Sequence, residues 1–419
     1  MFYLKRLLLL LIWILFVSNF LFAWAVWHIM AGGQRIEKST ADIIIKIAKV
    51  PSVFFHELIV YTGLGPSQLA IPNQIDQYRT KNMSGYLLIS TLSSENQLAE
   101  IQLLDLEKKK VVQRWQPNFD DLELKNISKF NLRMTHPLLL KKDLITIADG
   151  ILYRFDKNSM VKWKNDGNFH HSIELDAENS IWVCGTINRA VNGHSIHSTI
   201  WDDGIFKLNP DNGKTIFKKS IYDILIENNY QYILFNTGPN TQDLIHVNDI
   251  QPAFKTTKYW QKGDLLISMR NRSSVFLYRP STNKIIWFKT GPWNFQHDCD
   301  FLNDTEIGVF GNDVTDFNGK SYLIHGHNNQ YVYNFKSGKV STPYTQMFKY
   351  GKIKTLTEGR SRILPDGQLF VEETNFGRIL FGDSKGVKGT YVNRINDDYI
   401  GMLGWSRYYT KEEYKLSTQ

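Results

Sequence analysis

The chain of 419 residues is 42% hydrophobic and 13% aromatic, enough to bury a large core and to exclude a disordered or fibrous protein. Its formal net charge of +8 is spread thinly along the sequence, which excludes the clustered basic face of a nucleic-acid binder. Two cysteines, Cys184 and Cys299, exclude a disulfide-dense scaffold and zinc-finger spacing and leave room for at most one bridge.

From Leu7 to Met30 the chain is apolar except for Ser18, Asn19 and His28, long enough to cross a bilayer as a helix at about 1.5 Å per residue. Lys5 and Arg6 precede this run, so the positive-inside tendency puts the N-terminus in the cytoplasm and the rest on the periplasmic or extracytoplasmic side. A cleaved signal peptide would have an apolar core of about 7 to 15 residues and a small-residue cleavage site. This run is longer and ends in W-H-I-M-A-G-G, so residues 1–31 are expected to be the uncleaved transmembrane anchor of a single-pass membrane protein. Residues 32–84 form a membrane-proximal helical or linker segment. Within it A-D-I-I-I-K-I-A-K-V-P-S-V-F-F-H-E-L is apolar on one helical face, suited to the membrane surface or to packing on the body.

From Gly85 to the C-terminus the texture is all-β: short runs rich in Ile, Val, Tyr, Phe and Trp, separated by Asp, Asn, Gly and Lys turns. One unit recurs, an apolar strand, a turn and a second strand often closed by an aromatic residue. It occurs at 103–115, 153–163, 206–217, 277–288, 333–340 and 380–391. The first residues are 50, 53, 71, 56 and 47 apart, fitting one propeller blade per repeat with insertions. Residues 85–419 are therefore expected to be a six-bladed β-propeller in which each hairpin supplies the outer two strands of a blade. The longest gap holds an insertion beside His246.

Three of the eleven histidines stand just before or at the start of a strand: F-H-H-S-I-E-L-D (169–176), L-I-H-V-N-D-I (244–250) and F-Q-H-D-C-D-F-L (295–302). Innermost strands of a propeller line one channel, so His171, His246 and His297 are expected to converge although far apart in sequence. Asn248 beside His246 and Asp298 beside His297 are candidates to fix the ring tautomers. Arg270 ends an apolar strand, where its guanidinium can bind a tetrahedral oxyanion, whereas Arg272 suits a surface salt bridge. Arg360 and Arg362 occupy the corresponding place in the sixth repeat. His325 and His327, two apart, share one strand face that can hold a transition metal, although Gly326, Asn328 and Asn329 equally suit a polar turn. His194 and His197 are a weaker pair. No metal and no cofactor are called for, since P-loop, G-x-G-x-x-G and G-x-S-x-G motifs are all lacking.

The ordered string F-H-H-S-I-E-L-D-A-E-N-S-I-W-V, H-V-N-D-I, L-L-I-S-M-R-N-R-S-S-V-F, Q-H-D-C-D-F-L and R-I-L-P-D-G-Q-L-F-V resembles the arylsulfotransferase family over roughly residues 130 to 410. The resemblance implies a six-bladed propeller and PAPS-independent transfer of a sulfuryl group from a phenolic sulfate ester to a phenol, through a covalent histidine adduct. It assigns catalysis to His246, His297, His171 and Arg270; His170, Asn248, Asp298, Arg360 and Arg362 are expected, from their places beside these residues and in the repeats, to surround an anionic small-molecule substrate. No histidine follows His327, so the last blade lacks the family's expected nucleophile, and His246 or His297 would take that role. The rival reading is a non-catalytic propeller that binds an anionic glycan or a partner protein at the membrane. A quinoprotein-like reading lacks the regular Ala-Asp-x-x-Thr-Gly core.

Overall fold

A computed structural model describes residues 13, 17–24, 69–72, 78–80 and 83–418, apart from 126, 128, 130, 188–199, 236–241, 318, 319 and 398. The chain divides into two units, Met1–Pro66 and Ser67–Gln419. In the first, residue 13 and residues 17–24 are helical. Among the described residues no helix is long and apolar enough to cross a membrane. The remainder of the expected anchor, the amphipathic segment after it and the His194/His197 pair lie outside the described residues.

The second unit is a ring of six antiparallel sheets. The innermost strand of each blade is Arg407–Tyr409, Met134–Leu140, Phe169–Leu175, Val247–Pro252, Asp298–Phe301 and Arg360–Ile363, in blades one to six. Every hairpin read from the sequence forms the third and fourth strands of its blade counted from the centre, for example Ser274–Arg279 with Lys284–Thr290 in the fourth. Blade one is completed by the far end of the chain, because Arg407–Tyr409 pairs with Tyr86–Leu92. Two further strands, Leu69–Pro72 and Tyr78–Thr80, fall in the segment expected to be helical or linker, and they pair with Tyr399–Gly401 and the outer strand of blade six.

Six apolar clusters hold the ring, one between each pair of neighbouring blades. Strand periodicity divides the work: Leu87 and Ile89 face blade six while Leu88 faces blade two. Strands nearer the centre are thus buried on both faces and read as largely apolar runs, as in Leu265–Met269, whereas the outer Lys110–Trp115 alternates. The long insertion after blade three folds into helices Ile221–Glu227 and Gln231–Phe235. The first is capped by Ser220, whose Oγ accepts from the Asp223 N–H, and it packs Ile221, Tyr222, Ile224 and Leu225 against blades three and four. A second insertion, the hairpin Val314–Phe317/Lys320–Leu323, leaves blade five.

Polar clasps join the inner strands across blade boundaries. Ser172 Oγ accepts from the Ile250 N–H (3.0 Å), Asp249 Oδ2 from Cys299 (2.8 Å) and Asp298 Oδ2 from Ser361 (2.9 Å). The ring closes through Glu372, fully buried, which accepts from the N–H groups of Trp405 (3.0 Å) and Ser406. Cys184 and Cys299 are separate buried thiols on blades three and five, so the possible bridge does not form. Glu372→Ala strands two buried N–H donors and is expected to lower the unfolding free energy by about 3 kcal/mol in denaturant titration; an unchanged midpoint would show that the clasp is dispensable.

Candidate active site

The site arises from irregularity at the starts of the inner strands. In blades two, three and four the pairing register shifts between Thr135 and Leu138, His170 and Ile173, and Val247 and Asp249. Such bulges re-aim side chains. His136 (φ +55°), His171 (φ +58°), His246 (φ +53°) and Trp405 (φ +67°) all adopt the left-handed backbone there, uncommon for residues with a Cβ. The rings gather as a result. Centroids lie 4.9 Å apart for His171 and His246, 6.1 Å for His171 and His297, and 6.4 Å for His246 and His297. His136 extends the group, 6.0 Å from His171 and 4.9 Å from Trp405.

Each ring is anchored differently. His246 Nδ1 lies 2.6 Å from Asp243 Oδ2, so the carboxylate accepts the Nδ1 proton and Nε2 keeps its lone pair. Burial raises the Asp243 carboxyl, but the His246 hydrogen bond, with help from Asn271 and Arg270, outweighs it and leaves the group below its ordinary value. His297 Nδ1 lies 2.7 Å from Asn312 Oδ1, and the Asn312 amide is itself oriented by donating to the carbonyls of Thr355 and Glu358. The network therefore places the proton on Nδ1, while Nε2 accepts from the Glu358 N–H at 3.2 Å. Glu358 is held in turn by two 2.9 Å bonds from Arg133. His171 shares a 2.8 Å Nδ1 to Nδ1 hydrogen bond with His170, whose Nε2 lies 3.3 Å from Asp203.

Burial drives the imidazoles of His136, His171 and His297 well below their ordinary value. Neighbouring charges act in the same direction, led by Arg407 for His136, His246 for His171 and Arg270 for His297. His136 and His297 are neutral bases beside arginines, and His171 is a neutral base among other imidazoles. The Arg270 guanidinium lies 4.3 Å over the Phe295 ring and donates to Asn271 Oδ1 at 2.7 Å. It comes from the turn after the second strand of blade four, and burial lowers its own value.

Several expected roles change. Asp298 does not orient His297, nor Asn248 His246. Asp298 follows His297 directly and so points to the opposite face, Asn248 is taken up by the neighbouring blade, and the ring partners are instead Asn312 and Asp243. Asp298 clasps blade six and Asn248 donates to the Gln296 carbonyl at 2.7 Å. Arg272 is buried rather than at the surface, donating to the Leu234 carbonyl at 2.7 Å. Arg360 lies along the channel, 5.1 Å from the Trp405 ring and 3.7 Å from Asp298. Arg362 turns to the opposite end, where it pairs with Glu413 and donates to the Tyr408 carbonyl. There it lines a cavity of about 250 Å³ together with Glu174, Asp300 and Arg407. His325 and His327 sit with centroids 6.4 Å apart beside Pro292 and Lys349, away from the cluster.

The sequence reading missed His136, Asp243, Asn312 and Glu358. A D-x-x-H spacing at 243–246 and a histidine opening the strand T-H-P-L-L-L were the available signals. Asn312 and Glu358 carry none, because their roles depend on loops that meet only in the folded ring.

For His297, a folded-state value below the unfolded one means that the unfolded chain takes up the proton first. Its contribution is complete above the unfolded value, about pH 6.5, and is lost as pH falls below it. The stability penalty of His297→Gln is therefore expected to shrink by about 1 kcal/mol between pH 6.5 and pH 5.5 in paired denaturation curves. Equal penalties at the two pH values would contradict a neutral buried imidazole.

Comparison with known proteins adds the following. No curated protein matches the chain. Among solved structures, a protein of unknown function from Bacteroides caccae is 13% identical (TM-score 0.47, 77% of this chain and 98% of that one). The Neurospora crassa Pan2 WD40 domain is 12% identical (TM-score 0.44, 82% and 90%). Kuenenia stuttgartiensis hydrazine synthase is also 12% identical (TM-score 0.39, 70% and 76%). The sequence model Arylsulfotransferase (ASST) matches residues 150–391, more than half the chain and the part that holds His170, His171, His246, Arg270 and His297. The chain belongs to the arylsulfotransferase (ASST) family.

Proposed function

We propose that the protein transfers a sulfuryl group from a phenolic sulfate ester to a phenolic acceptor without PAPS, with His246 as the nucleophile. The observation that supports this most directly is the 2.6 Å Asp243–His246 pair, whose imidazole belongs to the same cluster as His171 and His297. His297 is the lesser candidate for attack, because its Nε2 already accepts a backbone hydrogen bond.

In the first step His246 Nε2 attacks sulfur, the bond from sulfur to the aryl oxygen breaks, and the phenolate leaves and takes a proton from solvent. The sulfuryl-imidazolium carries positive charge on the ring, which Asp243 stabilises. In the second step an acceptor phenol loses its proton to His171, its oxygen attacks sulfur, and the N–S bond breaks to restore His246. Arg270 binds the sulfuryl oxygens, whose charge is spread as in phosphoryl transfer. His170 positions His171. Asn248 and Asp298 hold the strands, and Arg360 and Arg362 complete the channel below. We further assign residues 1–31 to a membrane anchor and the propeller to the extracytoplasmic side.

Full-length protein is expected to release 4-nitrophenol from 4-nitrophenyl sulfate when a phenol is supplied, and His246→Ala is expected to reduce turnover by roughly 10³-fold or more. No release, or release indifferent to that change, would sink the reading. Alkaline carbonate washing should leave the full chain in the membrane fraction and free a variant lacking residues 1–31; release of both would dispose of the anchor.

A further inference from the structure

We propose that His171, His246 and His297 also form a binding site for one divalent transition-metal ion of the zinc or cobalt class. One ring nitrogen from each lies within 4.8 Å of the others. Three imidazoles around a tetrahedral ion, with metal to nitrogen bonds of about 2.0 to 2.1 Å, have ring centroids roughly 5 Å apart. The observed spacings are 4.9, 6.1 and 6.4 Å, so closing on an ion takes movements of about 1 Å.

The second observation is the outer layer. Metal-ligating histidines carry an oxygen acceptor or other partner on the ring nitrogen that faces away from the ion, which fixes the tautomer and raises basicity. Here Nδ1 of His246 is held by the Asp243 carboxylate and Nδ1 of His297 by the amide oxygen of Asn312. Nδ1 of His171 is held by His170, which itself faces Asp203. In each ring that leaves Nε2 as the donor. Three neutral nitrogen ligands with a fourth position open suit zinc or cobalt rather than magnesium or calcium, which require oxygen. Two features work against the ion: the 3.2 Å Glu358 N–H contact to His297 Nε2 must be given up, and the Arg270 charge reaches His297. A hydroxide or other anion in the fourth position offsets the second.

The site stands on this geometry and not on the sulfuryl reading, so either can fail alone. An Nε2 lone pair bound to metal cannot attack sulfur, which makes the two occupants mutually exclusive.

The test is titration of chelator-treated, full-length protein with Co²⁺, followed by its visible ligand-field absorption and by displacement with Zn²⁺. One Co²⁺ per chain with four-coordinate absorption is expected, and an unchanged result for a variant with both His325→Ala and His327→Ala. Asp243→Asn should weaken affinity about 10- to 100-fold, and His246→Gln should abolish the absorption. Melting curves matching wild type establish that both are folded. No absorption in the wild type, or absorption that survives His246→Gln or vanishes in the His325/His327 variant, overturns the proposal.

Discussion

The structure depends on a requirement at the starts of the inner strands: backbone N–H groups at the crowded centre of the ring must find acceptors in a neighbouring blade. Ser172, Asp249, Asp298 and Glu372 supply them. A hydroxyl or carboxylate reaching across the boundary fixes the rotation of one blade against the next more narrowly than apolar packing does, because a hydrogen bond tolerates only a few tenths of an ångström. The register shift that brings His171 into the channel sits beside the Ser172 clasp, which holds that strand to the next blade.

The same clasps fill the channel with charge. Asp249, Asp298 and Asp300 lie with Glu174 around Arg360 and Arg407, so carboxylates outnumber the cations facing them. Burial, with the Glu174 charge, pushes Asp249 up to about 7, and burial raises Asp298 and Asp300 against the pull of Arg360. Arg407 meets Glu174 through both of its terminal nitrogens. Acid groups on one side and neutral imidazoles on the other give the centre of the ring a graded proton affinity along its axis.

Much of the fold was legible because the outer hairpins alternate and end in turn residues, and their spacing counts the blades. The convergence of His171, His246 and His297 followed from propeller geometry alone. Their partners did not: a strand sends neighbours to opposite faces, so Asp298 turns away from His297, Asn248 is committed to the Gln296 carbonyl of the next blade, and Asn312 and Asp243 arrive from loops. Arg272 was misjudged because a charged side chain between two polar residues reads as exposed, whereas the helix Gln231–Phe235 brings a carbonyl to it. The strands Leu69–Pro72 and Tyr78–Thr80 are too short for any periodicity to show.

The last strand of the ring, Arg407–Tyr409, sets the order in which the protein can be made. It pairs with Tyr86–Leu92 across more than three hundred residues, and such distant contacts form late. A growing chain can build blades two to six as local units, yet the first sheet lacks its inner strand until Arg407–Tyr409 has been made. Trp405, Ser406 and Arg407 arrive with that strand, and with them the bonds to Glu372 and Glu174. Maturation of the histidine pocket is thereby tied to the arrival of that strand: a chain stopped before Trp405 leaves an open arc with its polar centre exposed to water.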